Sequence, residues 1–127
     1  MIHAGGMTGE AIAGQLRQHE RPEWKPLVRL LGDELAPWFM WMCELELADG
    51  ARVQAYKHVA TRRYVHLADD GRALVTIADG AYRAISPELA IRRAFYGWHQ
   101  VVPHQETAAA VRAALRQACR TALARCG

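Results

Sequence analysis

The sequence predicts one α+β domain in which an antiparallel meander of four to five strands carries two N-terminal and two C-terminal helices on one face. Three Asp-Gly dipeptides, at 49–50, 70–71 and 79–80, each follow a short run of β-favouring residues. Asp-Gly between alternating apolar residues indicates a hairpin, because glycine accepts the positive φ of a tight turn. Helical spacing of apolar residues flanks this segment on both sides. We expect the domain to cover residues 1–127, with 1–6 as a flexible leader.

The N-terminal segment predicts two helices. Thr8 can cap a first helix that runs to about His19. Pro22 and Pro26 favour the start of a second helix, whose end is expected between Gly32 and Pro37. The apolar side chains along one side of this second helix are Leu27, Val28, Leu31 and Leu35.

The first predicted strand, Phe39–Leu47, alternates between apolar and polar positions. One face carries Phe39, Trp41, Cys43, Leu45 and Leu47, and the other carries Met40, Met42, Glu44 and Glu46. Directly opposed residues of a hairpin share a face, so face matching selects the loop length. A three-residue loop at 48–50 places Leu45 opposite Val53 and Glu46 opposite Arg52.

The same matching applies to the next two turns. A loop at 69–71 places His66 opposite Leu74, Leu67 opposite Ala73 and Val65 opposite Val75. For the turn at 78–80, either register leaves one mismatch near Tyr82 and Arg83, so both registers stay open.

Two further helices are predicted after the strands. Ser86 followed by Pro87 is a cap followed by proline at the first helical position, and Gly97 indicates the end of that helix. Its buried residues are expected to be Ile91, Ala94, Phe95 and Trp98. The last helix is predicted over 105–125, with a buried stripe of Val111, Leu115, Cys119, Ala122 and Cys126.

Composition excludes several classes of protein. No apolar run approaches the roughly 20 residues of a membrane span, and the N-terminus lacks the order of a signal peptide. Three cysteines without a Cys-x-x-Cys pair argue against a disulfide framework or a thiolate zinc site. We therefore expect a cytoplasmic protein without a membrane partner, a cofactor or a metal.

Charge is distributed unevenly along the chain. Residues 1–50 carry four basic and eight acidic side chains, whereas residues 51–127 carry twelve basic and five acidic ones. The last helix contains a line of arginines at four-residue spacing, Arg112, Arg116 and Arg120, with no acid from residue 107 onward. Pairing within the chain, with Glu20, Asp33 or Glu34, is the simplest expectation, and contact with a polyanion is the alternative.

The polar face of the meander is the first candidate site. If the register above is right, this face gathers Glu44, Glu46, Arg52, Gln54, Tyr56, His58, Tyr64 and His66. Such a set can serve acid–base chemistry or hold an anion. The alternative interpretation is the solvated face that any two-layer sheet presents.

The connection between the second and third predicted strands is the sharpest local cluster. The segment 57–66 holds Lys57, Arg62 and Arg63, with His58 near one end and His66 at the other. Cations and aromatic residues near a strand connection are typical of phosphate and nucleic-acid contact. The segment matches no named nucleic-acid signature.

Two other uses of these residues stay open. His58 and His66 could act as the acid and base of a small hydrolase or nuclease, with Glu44 as a further weak catalytic candidate. Trp38, Met40 and Met42 are large apolar residues next to or on the polar face of the first strand. If no helix of the chain covers them, they mark an interface with a partner.

We therefore predict a small, non-catalytic binding module that contacts another protein or a second copy of itself. The alternative is a nucleic-acid-binding protein that uses the 57–66 segment and the arginine line. The third possibility is the hydrolase. The predicted binding residues are Arg52, Tyr56, Lys57, His58, Arg62, Arg63, Tyr64 and His66.

Overall fold

Six antiparallel strands form a closed barrel in the order β1-β2-β3-β4-β5-β6. The computed structural model describes residues 7–17, 21–100 and 105–126. The strands are β1 (Met7–Arg17), β2 (Phe39–Leu47), β3 (Arg52–His58), β4 (Tyr64–Ala68), β5 (Ala73–Ala78) and β6 (Ala81–Ile85). The helices are α1 (Lys25–Leu31), α2 (Pro87–Ala94) and α3 (Gln105–Cys126), with short 3₁₀ turns at Ala36–Trp38 and Trp98–Gln100. The α+β class is confirmed, with six strands rather than four to five.

The first predicted helix is wrong, because this segment is β1. The first half of β1 pairs with β6, its second half pairs with β2, and the strand thereby closes the barrel. Gly14 shows why the residue pattern suits a strand here. A Cβ on Gly14 would lie 2.8 Å from the Tyr82 ring and 3.2 Å from Leu47, so a larger residue would not fit inside the barrel.

The first hairpin has the predicted register. Leu45 pairs with Val53 and Glu46 with Arg52 across the three-residue loop, in which Gly50 has a φ of 88°. A β-bulge between Trp41 and Cys43 was not predicted. The extra residue shifts the alternation, so that Phe39 and Trp41 lie on the same face as Glu44 rather than with Cys43 and Leu45.

The second and third turns complete the meander. His66 pairs with Leu74 and Leu67 with Ala73, as predicted. In the third turn Ala78 pairs with Ala81, so Asp79 and Gly80 form a two-residue turn. A bulge between Thr76 and Ala78 shifts the pairing of β5 with β6, which explains why neither regular register matched the residues near Tyr82 and Arg83.

Two apolar cores lie on opposite sides of the barrel wall. The interior is filled by Leu45, Leu47, Val53, Ala68, Leu74 and Tyr82. The second core lies between the outer wall and the three helices, and it includes Tyr56, Val65, Leu67 and Ile85 from the strands. The outer wall of β3 is therefore buried by helices, and the prediction of one solvated polar face is wrong.

The helices after the barrel agree with the sequence analysis. The Ser86 hydroxyl accepts a hydrogen bond from the Leu89 N–H, and Ile91, Ala94, Phe95 and Trp98 are all buried. Val111 and Ala122 of α3 are buried as predicted, whereas Leu115 and Cys119 are half-buried. The predicted burial of Cys126 lies outside the described side chains. In the part of the chain that the structure covers, no helix is long and apolar enough to cross a membrane.

Candidate functional site

A pocket opens where β4 and β5 separate. The two strands pair only at His66–Leu74 and Leu67–Ala73, and the predicted pair Val65–Val75 is not formed. The pocket has a volume of about 640 Å³. It is lined by consecutive residues of both strands, and neighbouring strand residues point to opposite faces. The pocket therefore occupies the gap in the barrel wall, between the interior and α2.

Four arginines line this pocket. Arg62 and Arg63 come from the β3–β4 connection, and Arg92 and Arg93 come from α2. No carboxylate belongs to the described lining residues. The nearest compensation is Glu88, which pairs with Arg92 one helical turn away. Arg62 and Arg93 form no ion pair with any described residue. The pocket is consequently a region of concentrated positive charge.

The β3–β4 connection is held in place by α2. The Thr61 hydroxyl donates to the Ala94 carbonyl (2.8 Å), and the Arg63 Nε donates to the Tyr96 carbonyl (3.2 Å). The Arg62 N–H donates to the His58 carbonyl (2.9 Å), and Arg62 adopts a φ of 64°. A left-handed conformation in a non-glycine residue is strained, and such strain persists only where the surroundings fix it. The connection therefore presents its two arginines in a preorganised turn.

Aromatic rings flank the cations. Tyr96 is 70 % exposed, and the Arg63 guanidinium lies 4.9 Å from the centre of its ring. Tyr64 is 45 % exposed, stacks on His66 at 5.8 Å, and has the Lys57 ammonium 5.7 Å from its ring centre. Burial lowers the pKa of His66 to about 4, so its imidazole is neutral at physiological pH. The mouth of the pocket thus combines cations with exposed ring faces.

The other predicted histidine has a structural role. His58 is 1 % exposed and lies among the rings of Trp38, Phe39 and Phe95. Its Nδ1 accepts hydrogen bonds from the N–H groups of Ala60 (3.1 Å) and Thr61 (3.0 Å). His58 faces the helices, whereas His66 is on the strand face that lines the barrel interior. The structure does not bring the two imidazoles together as an acid–base pair.

Glu44, the third catalytic candidate, belongs to a buried polar network on β2 and β3. The Gln54 side chain donates to Glu44 (2.8 Å) and accepts from the Trp41 indole (2.7 Å). The Arg17 guanidinium lies 3.7 Å from the other Glu44 oxygen. Glu44 also lines a smaller cavity of about 230 Å³, whose lining carries both signs of charge: Glu23, Lys25, Arg29, Glu44, Arg52 and Asp69.

The remaining predicted binding residues are dispersed. Tyr56 is fully buried, and its hydroxyl donates to the Glu23 carbonyl. Burial and the nearby Glu23 carboxylate raise the pKa of Tyr56 far above its usual value. Arg52 is exposed on β3, beside the smaller cavity. Of the predicted set, Arg62, Arg63, Tyr64 and His66 line the large pocket, and Lys57 contacts it through Tyr64.

The predicted apolar interface residues differ in exposure. Trp38 is half-buried and stacks on His58. Met40 and Met42 are 37 % and 38 % exposed. The described part of β1 pairs with β2 only as far as Arg17–Glu44, short of both methionines.

The cysteines and histidines do not assemble into a metal site in the described part of the chain, where no three His, Cys, Asp or Glu residues cluster. Cys43 and Cys119 are free thiols, and burial raises the pKa of both.

Three residues of the pocket were missed from the sequence. Arg92, Arg93 and Tyr96 lie about 30 positions beyond the β3–β4 connection, and only the fold brings them beside it. A usable signal was present, because the paired arginines and Tyr96 fall between the buried positions of α2 and must face outward.

Comparison of the chain with protein-family models, with curated proteins and with solved structures finds no match in any of the three. The geometry of the pocket is therefore the basis on which a function can be assigned.

Proposed function

We propose that the protein is a non-catalytic binding protein whose pocket between β4, β5 and α2 takes a phosphate-bearing ligand. The observation that carries this proposal is a lining with four arginines and no carboxylate among the described residues. Guanidinium groups form charge-assisted, often bidentate hydrogen bonds to phosphate. A volume of about 640 Å³ lies within the range of small-ligand sites.

The aromatic residues extend the fit to a nucleotide. The Tyr96 and Tyr64 side chains are exposed beside the arginines, and a base can stack on such a ring while its phosphate contacts the cations. The separation of His58 from His66 supports binding rather than acid–base chemistry on this ligand.

Calorimetric titration with a single nucleotide tests the proposal. The double variant Arg62→Ala/Arg63→Ala should bind at least tenfold more weakly, because each charge-assisted hydrogen bond contributes about 1.5–3 kcal/mol. The matched control is Arg21→Ala/Arg52→Ala, which removes the same charge from exposed positions outside the pocket. Equal losses in both variants, or no binding by the wild type at low salt, would contradict a specific site.

We also propose a second candidate function, self-association through β2, because Met40 and Met42 are large, exposed apolar side chains on one strand. Light scattering over a concentration series tests it. A dimer that Met40→Glu/Met42→Glu dissociates would support it, and a strict monomer at high concentration would count against it.

A further inference from the structure

The arginine line of α3, formed by Arg112, Arg116 and Arg120, lies at exposed positions of that helix. Helix α3 packs against α2. At 100° per residue, Arg112, Arg116 and Arg120 turn successively further from the buried Val111. The Arg112 guanidinium lies 5.8 Å from the ring centre of Trp98, just beyond α2.

Arg92 connects the two groups of cations. It lines the pocket and pairs with Glu88, and its helix packs against α3. Arg92 of the pocket and the arginine line therefore lie on two helices that contact each other.

The expected pairing of this line with Asp33 or Glu34 is not formed, and Glu20 lies outside the described residues. In the described part of the chain, Arg112, Arg116 and Arg120 make no ion pair, and Arg120 contacts only the neutral Gln117 side chain at 2.8 Å. Like charges four residues apart on a helix destabilise it slightly. An uncompensated line of this kind is typical of a surface that meets a polyanion.

We propose that the ligand of the pocket is a single-stranded nucleic acid whose phosphate backbone continues from Arg92 along the arginine line of α3. This proposal rests on the proposed function. The line alone extends over eight residues of helix, about 12 Å, so the complete track is longer than one nucleotide. A single strand fits better than a duplex, because its unstacked bases can reach the exposed rings of Tyr64 and Tyr96.

The length of the ligand gives the test. Fluorescence anisotropy with labelled oligothymidylates should show that a 12-mer binds at least tenfold more tightly than a dinucleotide at low salt. The variant Arg116→Ala/Arg120→Ala should remove most of this gain and leave dinucleotide binding unchanged. It should also reduce the slope of log affinity against log salt by about 1.4, because each phosphate contact on a single strand contributes about 0.7.

The controls separate this proposal from the one on which it rests. Arg21→Ala/Arg52→Ala, which removes the same charge elsewhere, should retain the length dependence. A 12-mer that binds no more tightly than the dinucleotide overturns the track but leaves the pocket intact as a nucleotide site. If the wild type binds neither the dinucleotide nor the 12-mer, both proposals are overturned. Equal binding of a 12-base-pair duplex overturns the assignment to single strands.

Discussion

The outer wall of β3 and the pocket between β4 and β5 each contain a histidine withdrawn from water, and burial lowers the pKa of both to about 4. Their surroundings differ. On the β3 wall, His58, Tyr56 and Gln54 all have hydrogen-bond partners within the chain. The pocket around His66 instead holds Arg62 and Arg93, which form no ion pair with any described residue. Satisfied polar groups stabilise a fold, whereas uncompensated charge in a cavity indicates a ligand.

The largest expected effect is on stability at the β3 wall. His58→Ala should lower the free energy of unfolding by about 3 kcal/mol, because it removes a ring packed against three aromatic residues and leaves two N–H groups without an acceptor. His66→Ala, at the edge of the open pocket, should lower it by about 1 kcal/mol. Urea denaturation of both variants measures the difference. Equal losses would show that the two regions do not differ as described.

The pH dependence of stability tests the burial of His58 on the β3 wall, and the equally lowered pKa of His66 adds a similar dependence. The folded-state pKa of His58 lies below its unfolded value of about 6.5. Between pH 6.5 and 4 the unfolded chain therefore binds more protons, so the stabilisation is complete above pH 6.5 and is lost as the pH falls towards 4.

The control for this dependence is His58→Phe, which keeps the ring but cannot be protonated. In denaturation at successive pH values, the wild type should lose about 2–3 kcal/mol more across this range than the variant, which keeps the contribution of His66 but not that of His58. An identical pH dependence in both proteins would contradict the neutral, buried His58.

Gln54 provides a smaller test of the β3 wall. Gln54→Leu should cost about 2 kcal/mol, because Glu44 loses a donor and the Trp41 indole loses its acceptor, both in a covered position. Thr76→Val, an exposed residue of the pocket lining, should change stability by less than about 0.5 kcal/mol. Thermal unfolding of the two variants compares their losses of stability. A larger loss for Thr76→Val than for Gln54→Leu would contradict the prediction.

The first hairpin was predictable because its information is local. The register Leu45–Val53 depends on a loop of three residues and on face matching between neighbours, and the structure confirms it. The β1 segment was not predictable in this way. Ile12 and Gly14 face the barrel interior only because β6 and β2, far along the chain, pair with the two halves of this strand.

Only the part of the pocket lining that comes from one local segment was predicted, for the same reason. Arg62, Arg63, Tyr64 and His66 were selected from one short segment. The sequence does not reveal that β4 and β5 separate beyond His66–Leu74, or that α2 brings Arg92 and Arg93 to the opening. The prediction of a solvated face was wrong because helices cover that face. This coverage depends on packing between distant segments of the chain.

The smallest expected effect distinguishes two adjacent arginines of the pocket. Arg62 has a φ of 64°, which costs a non-glycine residue about 1–2 kcal/mol, whereas glycine adopts it freely. Glycine also increases the conformational entropy of the unfolded chain, and this offsets part of the relieved strain. Arg62→Gly should therefore raise the free energy of unfolding by a net amount of about 0.5 kcal/mol. Arg63→Gly should lower it by about 1 kcal/mol, because its Nε bond to the Tyr96 carbonyl is lost.

The two glycine variants also connect the strain at Arg62 to function. Both should weaken nucleotide binding, since each removes a guanidinium from the pocket. Arg62→Gly should therefore be more stable and less able to bind, which is the combination expected where strain is retained for a ligand contact. Denaturation and calorimetry on the same samples measure both properties. An Arg62→Gly variant that is destabilised like Arg63→Gly, or that binds like the wild type, would show that the left-handed turn serves the fold alone.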